Sequence, residues 1–512
     1  MKKILAIALD AAEPSLIEKW TEDGSLPVLK RLREYGRYGR LTSSAQWMTG
    51  SSWPTFYTGK NPANHGFYNY LVWNSQKLVT EPPTPDRMPL RPFWRDMKDP
   101  GGPRSIVIDI PLTYGVEPFN GMELISFATH DALVPFAGYP PEFVDAIRSR
   151  YGKGLMSRER YELQSKGQFF NTRDEMIRIV GQVGTLCKSL VEKQDWDFFL
   201  ASFSSIHRAG HRLWKTHNIK GRLTMEEQAE ALDALRQVYI ACDREIGKII
   251  DLAGLDATVF VFSLHGMGDN STRTAILPEM LNRVLHAKRT DHHPPQSDPL
   301  SRLRGWIPLS VRSSVKSALP VQARHWLTAF WRQNREPWGS TRAFSMLADT
   351  QGWIRINLRG REAQGIVNPG QEFDDLCEEI ATGLRTYVDQ DTREPLIKSI
   401  VRSSQVLEGE KLDMLPDLII LWNETPAHKH REIFSPQYGT IPWPTPGRNP
   451  EGRSGNHLFQ GMLIAAGPDI QPGTIVNGHI LDLAPTILAW LEQPVPPEME
   501  GKILPLLNTH QT

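Results

Sequence analysis

Side chains of the metal-binding type recur at the ends of short apolar runs in this chain. Asp10 ends the run Lys3 to Leu9. His207 and His211 follow the run Trp196 to Phe203, His265 follows Thr258 to Ser263, and His457 precedes Gly461 to Ala466. If these runs are strands of an open α/β sheet, the loops at their ends converge on one crevice. Ligands as far apart as positions 10 and 457 can then share a site. Imidazole and carboxylate together suit zinc or a similar transition metal. The i, i+4 spacing of His207 and His211 puts both rings on one helical face. A lone histidine is more often a surface or hydrogen-bonded residue. That is the reading for His286, His292, His293, His325, His428, His430, His479 and His510.

A second segment is rich in hydroxyls. Met48-Thr49-Gly50-Ser51-Ser52-Trp53-Pro54-Thr55 continues through Thr58-Gly59 to His65-Gly66. Small, hydroxylated, Gly- and Pro-containing sequence marks a turn that ends in a helix start. A hydroxyl there, next to a metal, can ionise and attack phosphorus while backbone N–H groups receive the anion. The alternative is an ordinary Ser/Thr helix cap.

These groups need a scaffold. Strands are expected at Lys3–Leu9, Arg104–Ile108, Glu123–Phe127, Asp197–Phe203, Thr258–Ser263, Asp417–Trp422 and Gly461–Ala466. Their continuous apolarity suits a mostly parallel sheet covered by helices on both faces. A capping box at Thr224 and Glu227 opens a helix whose core face would carry Leu232, Leu235, Tyr239, Cys242, Ile246 and Ile249. Further helices are expected from about Gln371 and over Asp482 to Leu491. An α/β core would comprise residues 1–134, 196–284 and 346–512, with a helical cap at 135–195 and a basic, Trp-rich excursion at 285–345.

The 512 residues can bury a large core. Lys+Arg and Asp+Glu number 58 each, for a formal net charge of zero, which argues against a dedicated nucleic-acid binder. The three cysteines are too few for a disulfide framework and suit a reducing, cytoplasmic compartment. No apolar run approaches the roughly 18 residues of a membrane span. The first strand is too short and too quickly followed by Asp10 and Glu13 to be a secretion signal. The one feature that suits peripheral membrane contact is the basic aromatic stretch 321–338, whose alternative is packing against the body.

The hydroxyl segment resembles the Thr-x-Pro-x-Trp-Thr-Ser-Phe-x-Thr-Gly-x-x-Pro-x-x-His-Gly region of type I phosphodiesterases and nucleotide pyrophosphatases, a branch of the alkaline phosphatase superfamily. Thr58-Gly59, Pro62 and His65-Gly66 hold the frame, and the threonine that opens it falls on Thr49. Other matches span nearly the whole chain. They include Asp10, Ile110-Pro111-Leu112-Thr113-Tyr114, Trp338-Gly339-Ser340-Thr341, Gly455-Asn456-His457 and Asp482-Leu483-Ala484-Pro485-Thr486. The resemblance implies an alkaline-phosphatase-like α/β fold and a phosphoric ester hydrolase. Thr49 would be the nucleophile and a metal ligand. One metal site would comprise His207, His211 and His457, and a second Asp10, Thr49 and His265. The expected cofactor is Zn²⁺, one or two ions, with Mn²⁺ or another divalent cation as the alternative. The expected substrate is a small phosphodiester or pyrophosphate.

The pattern breaks at two carboxylates. The usual Asp-x-x-x-His is His207-Arg208-Ala209-Gly210-His211, and the usual Ser-Asp-His-Gly is Ser263-Leu264-His265-Gly266. Three imidazoles with an open fourth position still form a credible zinc site. The second site loses a ligand at Leu264, for which Asp269 and Asn270 are the candidate substitutes. The alternatives are a phosphomonoesterase or phosphotransferase of the same superfamily, and a degenerate anion-binding pseudoenzyme.

Overall fold

The computed structural model describes residues 2–97, 101–129, 133–155, 163–286, 337–449 and 452–506, and scattered positions between 319 and 327. Its main sheet centres on Lys3–Ala8, which pairs in parallel with Ala257–Ser263 on one side and Phe198–Ser202 on the other. Ser105–Ile108 and Gly121–Ile125 extend the parallel run outward from Phe198–Ser202. Beyond Ala257–Ser263 the sheet turns antiparallel with Gln460–Ala466, followed by Arg37–Thr42.

The apolar runs form strands because both faces are covered. Successive side chains point to opposite faces, and here they enter two separate cores. Ile4, Ala6 and Ala8 join Leu200, Phe260, Phe262 and Leu463 in one. Leu5 and Ile7 join Phe199, Ala201, Val259, Val261 and Ile464 in the other. Fully burying each of the Leu, Ile, Val and Phe side chains stabilises by about 1.5–3 kcal/mol. The second core is closed by the helices Lys166–Lys193 and Met225–Ala253. The first is closed by Ser52–Thr58 and Leu483–Trp490.

The 135–195 stretch carries the short strand Ala137–Tyr139 and the helices Pro141–Tyr151 and Lys166–Lys193. Its long helix Lys166–Lys193 buries Met176, Ile179, Val180 and Val183 in the helical layer over the sheet. Several expectations are corrected. Leu232 is 68% exposed, and Ala231 and Ala234 take its place on the core face. Leu418–Trp422 lies outside the main sheet. It belongs to a four-stranded antiparallel sheet with Ala343–Ser345, Gly352–Ile356 and Ile397–Arg402. A strand buried on both faces is continuously apolar in either kind of sheet, so its sequence does not reveal which it joins. One face of this smaller sheet packs with the helices Leu277–His286 and Gln371–Arg385, while Trp353, Ile419 and Leu421 pack into the main body.

Most of the 321–338 stretch and of the basic excursion lies outside the described residues, and Trp338 packs on Trp73 and Phe344. Among the described residues no helix is long and apolar enough to cross a membrane.

Candidate active site

The topology carries the expected ligands to one end of the main sheet. Asp10 lies two residues past the first strand, and His207 and His211 lie on the helix Ser205–Leu213 that follows Phe198–Ser202. His265 follows Ala257–Ser263 directly. Gln460–Ala466 runs antiparallel to that strand, so its N-terminal side, where His457 sits, lies at the same end. His457 is fixed by a two-stranded ribbon, Gly266–Asp269 against Gly455–Leu458, in which it stands opposite Met267.

His207, His211 and His457 are buried, each offering a ring nitrogen within 4.8 Å of the others. The contacts of their other nitrogens bear on what this cluster can hold. His207 Nδ1 lies 2.8 Å from Asp10 Oδ2, and His211 Nδ1 lies 3.0 Å from the Gly455 carbonyl. Carboxylate and carbonyl oxygens only accept, so each Nδ1 donates. In the neutral rings both Nε2 atoms then carry lone pairs, yet they face each other at 3.1 Å. Two lone pairs at that separation repel, and a proton or a metal cation between them relieves the repulsion. His457 Nδ1 is buried with no hydrogen-bond partner. This donor set therefore fits a divalent metal, with oxygen acceptors fixing the tautomers of two of its imidazoles. Gly455 permits the close approach, since a Cβ there would lie 2.3 Å from the Gly210 carbonyl.

His265 lies alongside, its ring 4.6 Å from that of His457 and 6.1 Å from that of His207. Burial, reinforced by His457, pulls its pKa down to about 3, so the ring is neutral at physiological pH. Asp10 accepts from Trp53 Nε1 at 3.1 Å through its second oxygen. Leu264 is 2% exposed and packs in the apolar core with Phe262.

Thr49 begins a helical run through Ser51 and on to Thr58, after the backbone breaks from helix at Met48 (φ −149°, ψ 88°). It is buried. Its hydroxyl lies 3.3 Å from the Ala45 carbonyl, and the Gln351 amide nitrogen lies 3.4 Å from Oγ1. The next residue, Gly50, sits so close to the Tyr68 carbonyl that a Cβ would lie 2.5 Å from it.

The expected substitute ligands Asp269 and Asn270 make contacts with other residues. Asp269 Oδ1 accepts from Trp214 Nε1 at 3.0 Å and faces Lys215. Asn270 donates to the Arg453 carbonyl and accepts from the Thr272 N–H. Besides Asp10, a second carboxylate borders the triad. Asp349 Oδ2 lies 3.3 Å from His457 Nε2, and Oδ1 lies 3.1 Å from Arg453. Burial raises its pKa, but Arg453 and His457 outweigh that and hold it well below the usual carboxylate range.

Residues 4–425 match the model of the family described as type I phosphodiesterase/nucleotide pyrophosphatase. No curated protein matches. Among solved structures, phosphonoacetate hydrolase from Sinorhizobium meliloti 1021 is similar over 96% of this chain and 95% of that chain, at 12% identity and a TM-score of 0.49. Human ectonucleotide pyrophosphatase/phosphodiesterase 5 is similar over 98% and 97%, at 11% identity and a TM-score of 0.48.

Proposed function

Because this chain belongs to the type I phosphodiesterase/nucleotide pyrophosphatase family of phosphoester hydrolases, we propose that it cleaves a small phosphodiester or pyrophosphate with Thr49 as nucleophile and a divalent metal, zinc first, at His207, His211 and His457. The observation that carries the metal is the pair of Nε2 lone pairs facing each other at 3.1 Å beside the unpartnered His457 Nδ1. When bound, the cation would supply Lewis acidity, which lowers the pKa of a hydroxyl or water and offsets charge on the phosphorus oxygens.

The chain's own groups have distinct tasks in this reading. Thr49 Oγ1 attacks phosphorus in line with the departing oxygen, and the bond to the leaving group breaks as the bond to Thr49 forms. The Gln351 amide holds Oγ1 from one side. Asp10 keeps the His207 proton on Nδ1, so that Nε2 stays unprotonated. Water then attacks the phospho-threonine and restores the hydroxyl. Burial of the cluster excludes bulk solvent and strengthens its electrostatics. The three buried thiols, none in a disulfide, support a cytoplasmic location.

Metal analysis of the purified protein, combined with p-nitrophenyl mono- and diesters as substrates, tests this reading. Bound zinc with diester turnover supports it. Bound anion without turnover would support the pseudoenzyme that the apolar Leu264 favours.

A further inference from the structure

The loop between Ala343–Ser345 and Gly352–Ile356 joins the two parts of this site. Both strands belong to the smaller sheet, outside the sheet that carries the histidines. The loop presents Asp349 to His457 and Gln351 to Thr49. It is pinned at several points. The Asp349 carbonyl accepts from the Thr272 hydroxyl at 3.3 Å and the Asn456 side-chain amide at 3.4 Å. Gln351, 1% exposed, donates to the carbonyls of Ala45 at 2.6 Å and Gln46 at 3.1 Å. The Asp349 side chain is 36% exposed, so it borders the open side of the cluster.

A dication needs negative charge near it, and this chain has an imidazole at His207 and an apolar side chain at Leu264 where its motifs would carry carboxylates. Asp10 is committed to His207 and Trp53. Asp269 faces Trp214 and Lys215. Asp349 is the carboxylate that reaches a triad imidazole from a different part of the fold.

We propose that Asp349 is the compensating carboxylate of the metal centre, a positioning residue that orients His457 and supplies the negative charge missing at positions 207 and 264. A carboxylate on the ring nitrogen of a ligating histidine fixes its tautomer and orientation. Asp349 therefore does for His457 what Asp10 does for His207. Arg453 holds the carboxylate in place from its other oxygen. The proposal rests on the triad being a metal site.

The test is zinc affinity of the chelator-stripped full-length chain, measured by competition with a chromophoric chelator. The melting temperature of the metal-free protein is read in parallel. Asp349→Asn keeps the side chain's shape and removes its charge. It should weaken zinc binding about 10- to 100-fold, as loss of outer partners commonly does, and leave the metal-free melting temperature in place. Asp349→Glu should recover part of the affinity. Thr272→Val loosens the same loop without touching the carboxylate and should bind zinc as the wild type does. A merely structural role would lower the metal-free melting temperature of Asp349→Asn and spare its affinity, which would overturn the proposal. His211→Ala separates the two readings. If it loses zinc while Asp349→Asn binds normally, the triad stands and the role of Asp349 falls. If His211→Ala binds zinc normally, both fall.

Discussion

Asp10 and His207, 197 positions apart in sequence, meet through a 2.8 Å contact between carboxylate Oδ2 and imidazole Nδ1. This contact turns the aspartate at the end of the first strand toward the histidine triad. It also fixes which nitrogen of His207 carries the proton, and so which is available to a cation.

From this follows the expected behaviour of position 207. His207→Ala removes one of three nitrogen ligands and should lower zinc affinity by about tenfold or more, if losing a ligand costs at least what losing an outer partner does. His207→Asp keeps a donor and should retain metal. Isothermal titration of metal-free protein distinguishes them. Unchanged affinity in His207→Ala would reduce the imidazole to a packing role.

Thr49→Ala should abolish turnover and leave folding and most metal binding, that of the histidine triad, intact. The hydroxyl's hydrogen bonds are long, 3.3 Å to Ala45 and 3.4 Å from Gln351, so little stability is at stake. Steady-state kinetics with a p-nitrophenyl diester, alongside circular dichroism, checks this. Retained activity would move the nucleophile to Ser51, Ser52 or Thr55, or remove covalent catalysis.

A metal at Asp10, Thr49 and His265 should be the weaker of two, because Leu264 offers neither charge nor lone pair. Dialysis against a mild chelator should leave one metal per chain, and two would contradict this account. Leu264→Asp should tighten that second metal. It should also destabilise the metal-free protein by about 3 kcal/mol, because it places a carboxylate in an apolar core.

Acid should destabilise the fold through His65. Burial, with Lys411 and Lys60 nearby, pulls its pKa down to about 3. Its Nδ1 accepts from the Phe67 N–H and its Nε2 faces the Thr55 hydroxyl. The unfolded chain binds the proton near pH 6.5 and the folded one does not. The neutral ring's contribution is therefore complete above pH 6.5 and is lost as pH falls toward 3. By pH 5 the loss is on the order of 2 kcal/mol. Urea midpoints at pH 7 and pH 5 should fall less far apart in His65→Gln than in the wild type. Parallel slopes would contradict the assignment.

The parts of the site that were legible lie at the ends of two-faced apolar strands. Lys3–Ala8, Phe198–Ser202 and Ala257–Ser263 are continuously apolar because both faces are covered, and each leads directly to Asp10, His207 or His265. Arg37–Thr42 was missed because it is only half covered and carries Arg37 and Arg40. Asp349 and Gln351 were missed because no long apolar run leads to them. Their arrival depends on the smaller sheet docking through Trp353 and Ile419. The available signal was a hairpin, two short apolar stretches around a polar loop. Asp269 and Asn270 lie close to His265 in sequence. The antiparallel ribbon that holds His457 turns them toward Trp214 and Arg453 instead.

The most direct measurement of the central claim is an anomalous-difference map at the zinc edge, from crystals of the full chain grown with zinc. The account predicts a strong peak within bonding distance of ring nitrogens of His207, His211 and His457. No peak there, or a peak only at other residues, would contradict it.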